Sequence, residues 1–260
     1  AQQGTQAYNL GRLCASTGGL PATVPGMTLD RQCSSGLQTI AIAAKNIITG
    51  EQSIVVAGGV ESISLTQNKH KNSYRFVAEA VLAAQPAAYI QMIETAEIVA
   101  ERYGIGRQQQ DDYALQSQQR TASAQAAGYF DDEIVAFDSV KQLFDKEGNP
   151  TEKQTVRLAK DEGNRADTSA ESLAALRPVW KDGKFVALGK HITAGNASQL
   201  SDGAAVALLM SRKAAGERGL KPLGSYRGFA VAGCKPDEMG IGPVYAIPKL
   251  LAQQSLKVSD

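Results

Sequence analysis

Cys33 is the residue of this chain whose type and position best suit nucleophilic chemistry. It lies where a helix is expected to begin, within the run Asp30-Arg31-Gln32-Cys33-Ser34-Ser35-Gly36-Leu37-Gln38. The positive end of a helix dipole and its backbone N–H groups favour a thiolate over a thiol and can stabilise an oxyanion. A free cysteine is also commonly a buried small hydrophobe, so the local sequence leaves both interpretations open.

The helix after Cys33 is predicted by the spacing of its apolar residues. One face at the 3.6-residue period carries Leu37, Ile40, Ala41, Ala44, Ile47 and Ile48, and Gly50 supplies the stop. The next apolar run, Ser53-Ile54-Val55-Val56-Ala57-Gly58-Gly59, predicts a buried strand of a parallel sheet. A helix followed by such a strand is typical of an α/β fold.

Composition excludes several classes of protein. The chain has 260 residues with 27 Lys plus Arg against 26 Asp plus Glu, so no net field favours nucleic acid. Its three cysteines, an odd number spread far apart, predict neither a disulfide framework nor a metal site. No apolar run approaches the ~20 residues of a membrane span. We therefore expect a cytoplasmic protein that binds no metal, nucleic acid or membrane.

The middle of the chain, from about residue 65 to about residue 190, is polar and rich in glutamine, which indicates an inserted subdomain. Apolar spacing predicts one helix from Ile93 to Tyr103 and a second from Gln108 to Ala127. A solvated face of the second helix is predicted for Gln116, Gln118 and Gln119. The acids Asp131-Asp132-Glu133 indicate an exposed turn rather than a metal site.

The last part of the chain returns to short apolar runs. Buried-strand patterns are predicted over residues 204–210 and 222–232, with a short charged helix over residues 212–218 between them. Pro243 is suited to the first turn of a further helix, which Pro248 would distort.

Three stretches together closely resemble the thiolase family, that is, the acetyl-CoA acetyltransferases and 3-ketoacyl-CoA thiolases. They are Arg31-Gln32-Cys33-Ser34-Ser35-Gly36-Leu37-Gln38, Ala57-Gly58-Gly59-Val60-Glu61-Ser62-Ile63-Ser64 and Thr193-Ala194-Gly195-Asn196-Ala197-Ser198-Gln199-Leu200-Ser201-Asp202-Gly203-Ala204. Shorter matches are Thr95-Ala96-Glu97, Asp131-Glu133-Ile134-Val135, Leu176-Arg177-Pro178 and Met239-Gly240-Ile241-Gly242-Pro243. The resemblance therefore extends over nearly the whole chain.

The resemblance implies an α/β fold, a layered α-β-α-β-α sandwich of two similar halves with an inserted loop domain that holds coenzyme A, incomplete in this chain. Residues 1–64 would be the second part of the N-terminal half and residues 65–190 the inserted loop domain. Residues 191–215 would be the last strand region of that half, and residues 216–260 the start of the C-terminal half.

The resemblance also implies a site. Cys33 would take the acyl group from a coenzyme A thioester, with its backbone N–H forming half of an oxyanion hole, and a second thioester or free coenzyme A would resolve the acyl-enzyme. The implied substrate contacts are Arg165, Ser172, Trp180, Ala194, Ser198 and Met92. Coenzyme A thioesters are then substrates, and no covalently bound cofactor is expected.

Some implied contacts have alternatives. Trp180 stands where the family pattern has phenylalanine, and it could be a core residue, while Arg165 could be a solvated surface charge. Gln91 stands where many members have histidine. His191 is expected to be structural because no acid partner is close in sequence, and His70 is expected in a surface loop.

The chain departs from the family because it contains no Asn-Glu-Ala-Phe, Gly-His-Pro or Cys-x-Gly-Gly-Gly motif. By resemblance those segments supply the activating histidine, a second cysteine and the remainder of the oxyanion holes. Cys234 lacks glycine-rich neighbours and cannot replace that second cysteine, and Cys14 is expected to be structural. We expect the missing motifs to lie beyond Asp260 and these 260 residues alone to have little activity.

The sequence thus predicts a thiolase-type acyltransferase of fatty acid metabolism that makes or cleaves a carbon–carbon bond between acyl-CoA thioesters, with acetyl-CoA C-acetyltransferase activity favoured. Family resemblance implies a homodimer or homotetramer. The alternatives are a ketosynthase-type condensing enzyme and a non-catalytic module that binds coenzyme A or acyl lipids. Acyl chain length and reaction direction stay open.

Overall fold

The computed structural model describes residues 8–260, which form two compact units. Of the described residues, the first unit comprises residues 8–89 and Leu200–Asp260, and the second comprises Ile90–Gln199. The helices are α1 Leu10–Thr17, α2 Ser35–Ile48, α3 Ile63–Thr66, α4 Glu79–Ala84, α5 Met92–Arg102, α6 Arg107–Ala126, α7 Ala170–Ala174, α8 Arg212–Glu217 and α9 Gly242–Gln254, with a 3₁₀ helix over Pro236–Ile241. The strands are β1 Ile54–Glu61, β2 Phe137–Phe144, β3 Pro150–Leu158 and β4 Gly203–Met210.

The sheet of the first unit is antiparallel, so the prediction of a parallel sheet is wrong for the described strands. β1 pairs with β4 from Ile54↔Met210 to Glu61↔Gly203. Helix α2 packs on one face of this pair, where Thr39 Oγ1 donates a 3.0 Å hydrogen bond to Gly58 O. Within residues 8–260 the opposite face is exposed to solvent, and Val206 on it is 78% exposed. Because α2 covers only one face, the prediction that these strands are buried is also wrong.

The third predicted strand is absent from the described residues. Residues 222–232 form neither helix nor strand, whereas β1 and β4 pair with each other. An apolar alternating pattern becomes a strand only when a neighbouring backbone accepts its hydrogen bonds, and no described strand does so here. The helix predicted around Pro243 is confirmed as α9, with Pro248 inside it.

The two helices predicted for the second unit are confirmed within one residue at each end. Helix α5 ends just before Gly104, which has φ of +65°, and α6 ends just before Gly128, which has φ of +73°. Left-handed backbone is strained for residues with a Cβ, and these glycines therefore end both helices.

A hairpin of β2 and β3 follows α6. Its turn is closed by Asp145, whose Oδ1 accepts hydrogen bonds from the backbone of Glu147 at 3.0 Å and Asn149 at 2.8 Å. The bond from the Asn149 backbone is the main cause that lowers the pKa of Asp145. The acids at residues 131–133, which precede the hairpin, form an exposed turn as predicted.

Two buried carboxylates on α5 hold a segment of the second unit that has little regular structure. Glu97, 2% exposed, accepts hydrogen bonds from the backbone N–H groups of Lys190 at 3.0 Å, His191 at 3.1 Å and Ile192 at 2.8 Å. Glu94, 3% exposed, accepts them from Phe185 at 2.6 Å and Val186 at 3.0 Å. Buried N–H groups need acceptors, and here two side chains replace a strand or helix partner.

Among the residues that the structure describes, no helix is both long and apolar enough to cross a bilayer.

Replacing Glu97 by glutamine should therefore destabilise the second unit. Glutamine has one acceptor oxygen for three N–H donors, and it turns an NH₂ group towards them, so we expect a loss of about 1–3 kcal/mol in the free energy of unfolding. Urea unfolding measures the loss. Glu101→Gln, on the same helix but exposed, is the matched control, and an equal loss in both variants would contradict this account.

Candidate active site

Cys33 lies on a tight turn whose geometry is set by its neighbours. Gln32 adopts a left-handed conformation with φ of +50°, and its N–H donates to Asp30 Oδ1 at 2.7 Å. Ser35 Oγ accepts from Arg31 N at 2.8 Å and donates to Gln32 O at 2.7 Å. This network holds a backbone conformation that glutamine disfavours by itself.

The Cys33 thiol is exposed and stands two residues before α2. The alternative that Cys33 is a buried hydrophobe is therefore wrong. The N–H groups of Ser34 and Ser35 donate within the turn, at 3.1 Å to Arg31 O and 3.0 Å to Gln32 O. Those two groups are already paired, and Cys33 stands before a 14-residue helix, whose N-terminal end favours nearby negative charge.

Gly59 on β1 and Gly36 in the first turn of α2 lie close together. A Cβ at Gly59 would lie 3.7 Å from Gly36 Cα, which is an ordinary van der Waals contact. The two glycines belong to separate stretches of the family resemblance, and the structure brings them into contact three residues after Cys33.

The turn after β1 is fixed by Asp202, from the third stretch of the resemblance. Its carboxylate accepts hydrogen bonds from Ser64 N at 3.0 Å, from Ser62 Oγ at 3.2 Å and from Ser64 Oγ. The Ser64 hydrogen bonds are the main cause that lowers the pKa of Asp202. This interaction ties the end of β1 to the start of β4.

In the second unit, a buried aspartate anchors the loop that carries Ala194 and Ser198. Asn196 Nδ2 donates to Asp111 Oδ1 at 3.0 Å and to His191 O at 2.9 Å. Asn196 Oδ1 accepts from Thr193 N at 2.8 Å, which closes the turn. Asp111 is buried on α6, so the loop is held to that helix by a charged acceptor.

The same aspartate is paired with Arg107, which extends the network to the helix that carries Ser172. Arg107 Nε donates to Asp111 Oδ2 at 2.6 Å, and its Nη2 donates to Leu173 O at 2.6 Å and Leu176 O at 3.1 Å. A Cβ at Gly195 would lie 2.5 Å from a Leu173 side-chain carbon. A side chain at residue 195 would therefore require the Leu173 side chain on α7 to move.

The structure thus brings together three of the predicted substrate contacts, since Ser172, Ala194 and Ser198 lie on segments that meet at Asp111 and Gly195. All three are exposed. Arg165 is also exposed, on the loop before α7, and Met92 is the first residue of α5 with 61% of its surface exposed. Cys33 belongs to the other unit.

Trp180 is placed differently from these residues. It is 9% exposed, and its indole N–H donates to Val186 O at 2.9 Å. Gly183 and Gly189 leave room for it, because a Cβ on Gly189 would lie 2.8 Å from the Trp180 Cβ. Burial and the paired indole favour the alternative that Trp180 is a core residue supporting the loop over residues 181–192.

His191 has an acid neighbour that its sequence context did not indicate. Its Nε2 lies 3.3 Å from Glu101 Oε2, and Lys190 Nζ lies 3.4 Å from the same oxygen. The hydrogen bond with His191 and the charge of Lys190 lower the pKa of Glu101. The expectation of no acid partner for His191 is wrong because the backbone N–H groups of residues 190–192 donate to Glu97, which sets His191 beside Glu101 one turn further along α5. His70 is exposed in a loop, as predicted.

Sequence reasoning also missed the supporting acids Glu94, Glu97 and Asp111. The sequence could have indicated Glu94 and Glu97, because they fall on or beside the apolar stripe of α5. An acid at such a position is buried and needs hydrogen-bond donors from other parts of the chain. Asp111 sits beside Asp112 in a polar run, and nothing local distinguishes the buried acid from the exposed one.

Residues 1–213 match the family model described as the thiolase N-terminal domain, so the chain belongs to the thiolase family. It is 43% identical over 256 residues to a 3-ketoacyl-CoA thiolase of Bacillus subtilis, covering 98% of this chain and 63% of that protein. It is 44% identical over 253 residues to the peroxisomal 3-ketoacyl-CoA thiolase A of Mus musculus, covering 96% of this chain and 56% of that protein. An acetyl-CoA acetyltransferase of Chromobacterium violaceum is 43% identical to this chain, and the match covers 93% of this chain and 60% of that protein.

Solved structures give the same result. The acetyl-CoA acetyltransferase of Bacillus anthracis superposes with a TM-score of 0.76 at 39% identity, covering 98% of this chain and 63% of that one. The dimeric peroxisomal thiolase of Saccharomyces cerevisiae superposes with a TM-score of 0.78 at 35% identity, covering 96% of this chain and 59% of that one. The predicted family and α/β thiolase fold are confirmed, and the chain spans about three fifths of the length of these relatives.

The geometry of the Cys33 turn predicts unequal reactivity for two exposed cysteines. Cys33 precedes a 14-residue helix, whereas Cys14 lies inside the eight-residue α1. Because a helix N-terminus stabilises negative charge on a nearby sulfur, iodoacetamide should alkylate Cys33 about tenfold faster than Cys14 at pH 7. Peptide mass spectrometry against time measures both rates in one sample. Equal rates would contradict the prediction.

Proposed function

We propose that this chain is the part of a thiolase-type acyltransferase that carries the acyl-accepting cysteine and the segments that bind coenzyme A. The observation that carries the proposal is the exposed Cys33 at the start of α2, in a chain of the thiolase family. An exposed thiol on a turn of fixed geometry suits a nucleophile that must meet a thioester carbonyl carbon.

The proposed first step is thioester exchange. Cys33 Sγ attacks the carbonyl carbon of an acyl-CoA, a new acyl–Sγ bond forms, and the bond from that carbon to the coenzyme A sulfur breaks. The proton of Cys33 leaves to a base and coenzyme A departs as its thiol. In the condensing direction, the deprotonated α-carbon of a second acyl-CoA attacks the carbonyl carbon of the acyl-enzyme, so a carbon–carbon bond forms and the acyl–Sγ bond breaks. In the reverse direction, Cys33 Sγ attacks the 3-keto carbon of a 3-ketoacyl-CoA, the C2–C3 bond breaks with protonation of the leaving α-carbon, and free coenzyme A then takes the acyl group from Cys33.

The proposed coenzyme A contacts belong to the second unit. Ser172, Ala194 and Ser198 offer hydroxyl groups and small apolar surface on segments held by Asp111, and these suit a pantetheine arm. Arg165 offers an exposed guanidinium for the phosphates or the adenine ring. Met92, exposed at the start of α5, is proposed near the acyl group. Trp180 supports this region from the core, and coenzyme A is a substrate rather than a resident cofactor.

The relatives favour no single member of the family, because 3-ketoacyl-CoA thiolases and an acetyl-CoA acetyltransferase are similar to this chain at 43–44% identity. We propose acetyl-CoA C-acetyltransferase activity within fatty acid metabolism. We also propose a cytoplasmic homodimer, since the yeast relative of known structure is described as dimeric.

Trapping of the acyl-enzyme tests the proposal. The chain is incubated with acetyl-CoA, quenched in acid and digested, and we expect one added acetyl group on the Cys33 peptide. Cys33→Ser should lose this thioester, which hydroxylamine cleaves at neutral pH, whereas Cys14→Ser should retain it.

A different result separates the alternatives. Binding of coenzyme A by calorimetry with no acetyl group on Cys33, even at about pH 9 where an ordinary thiol ionises without an activating base, would contradict the acyltransferase proposal and favour a binding module. Acetylation of Cys14 and Cys33 to the same extent would show unselective chemistry and would also contradict it.

A further inference from the structure

Helix α6 presents a polar stripe to the segments that carry the proposed coenzyme A contacts. Its members are Arg107, Asp111, Gln118 and Gln125, at spacings of four, seven and seven residues. At about 100° per residue these spacings place all four on one side of the helix. Each contacts the chain between residues 161 and 196, with Gln125 Nε2 lying 3.4 Å from Asp161 O at the far end.

Within this stripe, Gln118 is the residue that contacts Arg165. Its Oε1 accepts hydrogen bonds from Arg165 N at 2.9 Å and Asn164 Nδ2 at 2.7 Å. Asn164 Nδ2 also donates to the Gln118 backbone oxygen at 2.9 Å. Gln118 is half-buried, so the prediction that it belongs to a solvated face is wrong, whereas Gln116 and Gln119 are exposed as predicted.

The Arg165 backbone is fixed on both sides while its side chain stays accessible. Arg165 O accepts hydrogen bonds from Thr168 Oγ1 at 2.7 Å and Thr168 N at 3.1 Å, and its N–H is held by Gln118. The guanidinium is exposed, and within residues 8–260 it has no hydrogen-bond or ion-pair partner. A fixed backbone below a free cation reduces the ordering cost of binding an anionic or planar ligand.

We propose that Gln118 is a positioning residue for nucleotide recognition, acting through Arg165 on the adenosine phosphates or adenine of coenzyme A. The inference rests on the proposed function, since it assumes that Arg165 contacts coenzyme A. In this proposal, α6 fixes the position of Arg165 through the side-chain carbonyl oxygen of Gln118.

A double-mutant cycle tests the inference by titrating coenzyme A into the chain in a calorimeter. Gln118→Ala loses the acceptor of Arg165 N and of Asn164 Nδ2, and it should weaken coenzyme A binding by about three- to tenfold, as expected when the one hydrogen bond that holds the Arg165 N–H is lost. Gln119→Ala is the matched control, the same residue type on the exposed side of the same helix, and should bind like the parent chain. In an Arg165→Ala background, Gln118→Ala should have no further effect.

The outcomes are distinguishable. If the parent chain does not bind coenzyme A, the proposed function fails and this inference fails with it. If the parent binds but Gln118→Ala has no effect, or weakens binding equally with and without Arg165, the positioning role is wrong. Thr168→Val, which removes the second anchor of Arg165 at similar volume, should repeat the Gln118→Ala result and covers the case in which Gln118→Ala fails to fold.

Discussion

The Asp111 carboxylate is the interaction on which the second unit's candidate site depends. One oxygen of the carboxylate accepts a hydrogen bond from Asn196 of the loop, and the other accepts one from Arg107. Arg107 in turn donates to backbone carbonyl groups at α7. A loop and a five-residue helix have few hydrogen bonds of their own to hold them in place. One ion pair, with Asp111 buried and Arg107 partly buried, therefore sets the relative position of the two segments, at a desolvation cost that the hydrogen bonds offset.

The same principle recurs along α5 and α6. Glu94 and Glu97 take the N–H groups of residues 185–192, and Gln118 takes that of Arg165. Side-chain acceptors on two regular helices thus replace the backbone ladder that irregular segments lack. This arrangement leaves Ser172, Ala194, Ser198 and Arg165 exposed on backbone of defined geometry, as a binding surface requires.

The first unit fixes Cys33 by backbone approach rather than by buried charge. Gly36 of α2 lies beside Gly59 of β1, and Asp202 closes the end of that strand. Periodicity and glycine stops predicted α2, α5 and α6 within a few residues, because amphipathic spacing and left-handed glycines are local signals. The direction of the strand pair was not predictable, since apolar β-branched runs fit either orientation. Residues 222–232 have no neighbouring strand among the described residues, which no local pattern reveals.

For the candidate site, the motifs located Cys33 and the exposed substrate contacts, but the groups that hold them were missed. Asp111 and Asp112 look alike in sequence, as do Gln118 and Gln119, and only tertiary contacts distinguish them. Spacing offers a partial signal, because residues 107, 111, 118 and 125 share one side of a helix. A polar stripe at that period is compatible with two kinds of helix face, one that hydrogen-bonds to neighbouring backbone and one that faces water.

Hydrogen exchange of Asp111→Asn tests most directly whether one carboxylate holds both segments. Asparagine at 111 keeps the size but loses the charge paired with Arg107, so peptides covering residues 170–176 and 193–199 should both exchange about tenfold faster. The β2–β3 hairpin should be unaffected, and Asp112→Asn, next to it but exposed, should leave all peptides unchanged. Unchanged exchange in either segment of Asp111→Asn would contradict the account.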